Sequence, residues 1–89
     1  MIQTTLYISG QDQNRTKILG WLEEVRKDHP CDLHVVDIDK AQVLTNEYSD
    51  KAPVLDIGVF RLIYPFDQAD IGFGFQKADE RLREAVTNN

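Results

Sequence analysis

The stretch "KAPVLDIGVFRLIYPF", Lys51–Phe66, decides how this chain folds. Two runs rich in β-branched, aliphatic and aromatic residues meet at Gly58, the residue that enters φ > 0 without steric cost. A turn there folds the runs back on each other as an antiparallel hairpin. Phe60, Leu62 and Tyr64 alternate along the second run and so share one face, which reads as lying beneath a helix rather than as a subunit contact.

Upstream of the hairpin the apolar spacing changes. Thr4–Ser9 ("TTLYIS") is a short β-rich run before Gly10 and suits a buried strand. From Gln13 to Asp28, Ile18, Leu19, Leu22 and Val25 follow the i, i+3, i+4, i+7 rule of an amphipathic helix. Glu23 and Lys27 stand at i, i+4 on its outer face, and His29-Pro30 ends it, because a proline ring disfavours helix at the residue before it. Asp32–Ile38 ("DLHVVDI") is a second strand. Asp39 followed by Gln42 resembles a capping box opening a short helix to about Tyr48. Downstream of Asp67, the residues Ile71, Phe75, Ala78, Leu82 and Ala85 trace one helical stripe. Gly72 and Gly74 each cost a helix interior ~1 kcal/mol against alanine, and close packing on the sheet is the reading that accounts for them. "IGFGF" has no lysine at the Walker spacing. Of the aromatic residues Trp21, Phe60, Tyr64, Phe66 and Phe73, most are expected in the core.

The order is β-α-β-α-β-β-α. A right-handed parallel βαβ unit followed by an antiparallel hairpin makes a mixed α/β sheet with helices on both faces. At 89 residues the chain is one domain, 1–89, with no linker or internal repeat. Its net charge of −5 speaks against nucleic acid, which requires a basic footprint. No run approaches the ~20 apolar residues of a membrane span, and the N-terminus lacks the features of a signal peptide, so a cytoplasmic location is expected.

Three segments resemble the thioredoxin superfamily, and within it the small glutaredoxin-like proteins: "TLYISGQDQNRTKILGWLEEV", "HVVDIDK", and "KAPVLDIG" with "RLIYPF". Ala52-Pro53-Val54 matches the family's cis-proline at the start of its third strand. The resemblance implies a four-stranded sheet in order 2-1-3-4. It also implies a substrate pole built from the loop after the first strand and the cis-proline loop. Members with redox activity carry C-x-x-C or a single cysteine at the first of these, and aligning Ile18, Trp21, Leu22 and Val25 with the family's helix puts Asp12 and Arg15 at the two cysteine positions. Neither exchanges a disulfide. The single cysteine, Cys31, follows a helix ~22 Å long and is placed at the opposite pole.

The resemblance therefore implies a redox-inactive domain that binds a protein or peptide. Its candidate surface is Gly10, Gln11, Asp12 and Arg15 with Ala52 and Pro53, and Ala52 inherits the backbone position that pairs with extended peptides or glutathione. The bland alternative makes Asp12 a plain helix N-cap and Arg15 a solvated side chain. Two other readings stay open: a glutathione-binding enzyme related to thiol-disulfide oxidoreductases, in which bound glutathione supplies the thiol, and a switching regulator like the clock protein KaiB. No cofactor other than glutathione is suggested. His29, Cys31 and His34 spell H-x-C-x-x-H, but a structural zinc site needs a fourth ligand from Asp28 or Asp32, so the stretch reads as a polar connection. Asp37 and Asp39 are read as structural, Asp39 through its cap and Asp37 at a strand end.

Overall fold

The computed structural model describes residues 1–87, with side chains through residue 84. Four strands, β1 (Ile2–Ile8), β2 (Cys31–Asp37), β3 (Val54–Ile57) and β4 (Phe60–Ile63), form one sheet in the order β2-β1-β3-β4. β1 and β2 are parallel, while β3 is antiparallel to both β1 and β4. Three helices, α1 (Arg15–Arg26), α2 (Gln42–Tyr48) and α3 (Gln68–Thr87), complete the thioredoxin-like arrangement. No described helix is long and apolar enough to cross a membrane.

Strand alternation sorts the sheet into two faces. Ile2, Thr4, Leu6 and Ile8 of β1 point to the same side as Leu55, Ile57, Phe60 and Leu62, and there they meet Ile18, Leu22 and Val25 of α1 and Ile71, Phe75 and Ala78 of α3. This is the main core. A fully buried aliphatic or aromatic side chain in it stabilises the fold by ~1.5–3 kcal/mol. The opposite face carries Tyr7 and Val54 under the short α2, with Ile38 and Tyr48 as their partners.

The hairpin turns at Gly58 with φ 58°, and Ile57 pairs with Phe60 across it. Glycine at the first of two central positions is what a type II′ turn requires. Phe60, Leu62 and Tyr64 pack against the main core, as expected. α3 opens with a reciprocal cap: the Asp67 carboxylate accepts from the Asp70 N–H at 2.9 Å, and Asp70 accepts from the Asp67 N–H at 3.0 Å. At the far end of α1, His29 Nδ1 lies 2.7 Å from Asp79 Oδ2 and the ring stacks on Phe75, fastening α1 to α3.

Several expectations need correction. The second short helix is not opened by Asp39: a 3₁₀ turn, Ile38–Lys40, intervenes, with Asp37 as its cap, and α2 follows Ala41 without a side-chain cap. Thr45 Oγ1 instead donates to the Ile38 carbonyl at 2.7 Å, holding α2 to that turn. Lys27 pairs with Glu24 at 2.9 Å rather than with Glu23, since i+3 and i+4 neighbours are equally near on a helix surface. Phe73 is 59% exposed, with Lys77 Nζ over its ring, and Leu82 is 52% exposed. The side chain of Ala85 lies outside the described residues. Close packing accounts for Gly74, whose added Cβ would lie 2.9 Å from Ile57 Cδ1, but not for Gly72, which has nothing within 4 Å.

Candidate functional site

Extending the β1–β3 register by two residues sets Ala52 beside Ser9, so the loop after β1 and the loop before β3 share one end of the sheet. The sequence-expected residues Gly10, Gln11, Asp12, Arg15, Ala52 and Pro53 all belong to that end. The Ala52-Pro53 peptide bond is cis, and so is Tyr64-Pro65. Cys31 is buried at the start of β2 opposite Ile2, six residue steps along the strand from the pole. At ~3.3 Å per residue that is roughly 20 Å.

The loop after β1 is built from local hydrogen bonds. Ser9 Oγ accepts from the Gln11 N–H at 3.2 Å, and the Ser9 carbonyl accepts from the Asp12 N–H at 3.1 Å. Asp12 Oδ1 accepts from the Asn14 N–H at 2.7 Å, and the Asp12 carbonyl accepts from the Arg15 N–H at 3.1 Å. Asp12 therefore closes the turn that precedes α1. It is not the helix N-cap, a position held by Asn14 without a side-chain bond. Nor is Arg15 simply solvated: it is half-buried, and its Nη1 is buried with no hydrogen-bond partner.

Asp37, structural as its place at a strand end suggests, organises this loop. Its Oδ1 accepts from the Asp39 N–H at 2.9 Å and from the Gly10 N–H at 3.2 Å. A side chain at position 10 would place Cβ 2.6 Å from Asp37 Oδ2, so glycine is what lets the loop approach the carboxylate. The Asp39 N–H bond, then the Gly10 N–H and the charges of Lys40 and Arg15, hold the Asp37 carboxyl below its usual range against partial desolvation. Asp39 in turn accepts a hydrogen bond from Ser9 Oγ. The signal lay in the parallel register, because Ile8 pairs with Asp37 and the acid ending β2 must flank the loop leaving β1.

The linkage has a definite sign. A carboxyl whose folded pKa is depressed contributes stability above its unfolded value, here about 3.8, and loses it as pH falls through the folded value. Asp37→Asn is accordingly expected to be less stable than wild type at neutral pH, with the gap closing as pH drops below that range. Urea midpoints at neutral pH and at pH 3 or lower check this, and a constant gap contradicts it.

Ala52 departs from the expected role. Its N–H donates to the Tyr48 carbonyl at 2.8 Å, so the donor half of a strand-like pairing is already spent. The Pro53 carbonyl is taken by the Tyr64 N–H at 3.0 Å. Beside this loop, Tyr48 stacks on Tyr7 with centroids 4.3 Å apart and receives a 3.3 Å hydrogen bond from Arg61 Nη2. Arg61 also grips Asp56 through Nε at 2.7 Å and Nη2 at 2.9 Å, a bidentate pair. Burial, and then the hydrogen bond with Tyr48, push the Tyr7 phenol up from its ordinary value. These contacts pin α2 to the sheet and fix where the Ala52-Pro53 loop emerges.

The H-x-C-x-x-H residues do not converge. His29 is engaged by Asp79, and strand alternation sends Cys31 and His34 to opposite faces of β2. Two surface grooves lie away from the pole. One, of about 580 Å³, is flanked by Arg26 and Cys31, and the other, of about 490 Å³, lies between the hairpin turn and Leu82.

The fold recurs in solved structures. The chain matches a structural-genomics target protein from X. campestris with a TM-score of 0.70, at 24% identity over 83% of this chain and 96% of that one. It matches a malarial protein with a TM-score of 0.67, at 16% identity over 88% of this chain and 97% of that one. No protein-family model and no curated protein sequence matches the chain.

Proposed function

We propose that this chain is a glutaredoxin-like domain without thiol redox chemistry, serving as a binding module that takes a protein or peptide at the Gly10–Arg15 pole. The observation that carries the reading is the Arg15 guanidinium, whose buried Nη1 has no acceptor. An unmet buried donor costs roughly 1–3 kcal/mol, and the half-buried Arg15 side chain recovers it by turning Nη1 outward to an incoming acceptor. With Asp12, Asp37 and Asp39 in the same loops, a neutral main-chain carbonyl suits that donor better than a second anion. Asp12 uses Oδ1 for its own turn and has Oδ2 to accept an N–H from the same peptide. Recognition then runs through side chains of the first loop rather than through the Ala52 N–H, and the same engagement of Ala52 counts against glutathione.

Two measurements test this. Wild type and Cys31→Ser are expected to be equally inert toward insulin disulfides and glutathione mixed disulfides, and turnover that Cys31→Ser abolishes refutes the redox-inactive reading. In quantitative affinity capture, the partner bound by wild type should be retained at least tenfold less by an Asp12→Ala/Arg15→Ala double variant. Unchanged capture places recognition elsewhere. Glutathione titration followed by NMR should leave Gly10, Asp12 and Ala52 unshifted, whereas shifts there favour the glutathione reading.

A further inference from the structure

β2 forms one edge of the sheet, and that edge is open. Its seven residues pair with β1 in unbroken register from Cys31 opposite Ile2 to Asp37 opposite Ile8. Among the described residues, no backbone–backbone hydrogen bond from any element other than β1 reaches residues 32–37. The strand contains no bulge, proline or lysine, the usual devices that blunt an edge against pairing. Arg26 Nη2 touches only its first carbonyl, on Cys31, at 3.5 Å. Val35 points to the core side yet is 39% exposed, because the sheet ends there.

We propose that β2 pairs antiparallel with β2 of a second copy about a two-fold axis through Leu33, joining two four-stranded sheets into one. A two-fold axis perpendicular to the sheet keeps each face on its own side, so the pairing must be centred on a residue. Centred on Leu33, it sets Asp32 opposite His34 of the second copy, His34 opposite Asp32, Cys31 opposite Val35, and Leu33 opposite itself. Over the overlapping residues 31–35, each polar residue then meets a complementary one and each apolar residue an apolar one, while Val36 and Asp37 pass beyond the end of the partner strand. Centring on His34 instead opposes the two histidines and sets Asp32 against Val36, and centring on Val35 sets Leu33 against Asp37. Asp32 and His34 are both exposed, and Asp32 Oδ2 is already oriented by a 2.8 Å bond from Gln3 Nε2. Its other oxygen accepts from an imidazole N–H, which histidine carries in either charge state. The pairing covers Val35 and engages the free backbone groups of the edge.

Sedimentation equilibrium should show wild type dimerising. His34→Asp places like charges directly across the interface twice, and dissociation should become roughly tenfold or more easier. The Asp32→His/His34→Asp swap restores opposite partners and should return affinity to near wild type. A wild type that stays monomeric at its highest soluble concentration overturns the proposal, as does a dimer indifferent to His34→Asp. The register is tested separately by Val35→Cys under mild oxidation with copper-phenanthroline, where Cys31 of one copy meets position 35 of the other and a covalent dimer forms. Within one strand those positions are ~13 Å apart and cannot bridge. Cross-linking that persists in Cys31→Ser/Val35→Cys would show a different register and refute the Leu33 axis.

Discussion

Phe75→Ala is expected to bring the domain close to unfolding, at a cost of about 3–5 kcal/mol. Phe75 is the largest of the fully buried side chains among the described residues. It sits in the middle of α3, where Ile71 one turn before and Ala78 one turn after are buried with it against the sheet. Its ring also supports His29, which is stacked on it while holding Asp79. Truncation therefore empties core volume and removes the ring beneath the α1–α3 fastening in one step. At ~0.05–0.15 kcal/mol per residue, a domain of this size has only roughly 4–13 kcal/mol to lose. The urea midpoint of Phe75→Ala should fall sharply, while Phe75→Leu, which keeps most of the volume, loses much less. A loss for Phe75→Ala smaller than that for Phe75→Leu would contradict this account of the core.

What sequence reading recovered and what it missed divide along a physical line. The hairpin at Gly58, the α1 stripe of Ile18, Leu22 and Val25, and the burial of Ile71, Phe75 and Ala78 follow from local periodicity and backbone freedom, which act within a few residues. Leu82 continues the same period and is nevertheless half exposed, because periodicity names a face and not how far the neighbouring sheet extends along it. Phe73 lies about 200° around the helix from Ile71, on the side of α3 turned away from the sheet, and is exposed.

The pole was legible in outline only. Gly10, Asp12 and Arg15 could be placed at a strand-to-helix junction from the sequence. The part played by Asp37 depends on a parallel register between segments 29 residues apart, Ile8 and Asp37, which no local pattern encodes. The same holds for Ala52, whose N–H is claimed by a carbonyl at the end of α2. Sequence likeness transfers the position of a backbone group without saying whether that group is free.

Gly74→Leu should be the second severe lesion, at about 3 kcal/mol, the upper end of overpacking. The neighbouring Gly72 should behave in the opposite way. Both glycines lie inside α3, and both cost the helix backbone entropy, so alanine at either gains up to ~1 kcal/mol from helix propensity alone. The surroundings then decide the sign. At Gly72 no atom beyond the chain neighbours and the helix's own backbone lies within 4 Å of an added Cβ, so Gly72→Ala should stabilise by roughly 0.5–1 kcal/mol. At Gly74 an added Cβ lies 2.9 Å from Ile57 Cδ1 and 3.8 Å from Leu62 Cδ1. Ile57 is fully buried and cannot swing into solvent, so either its terminal methyl repacks at the expense of its core neighbours or the helix lifts from β3 and β4. Gly74→Ala is therefore expected to be net destabilising despite its propensity gain, and Gly74→Leu far more so because its added atoms have no space beneath the helix. Urea midpoints for the three variants read the signs directly, and methyl NMR of Ile57 and Leu62 reports the displacement. A Gly74→Ala protein more stable than wild type would show that α3 does not depend on this close approach, and the assignment of Gly74 as a packing glycine would fail with it.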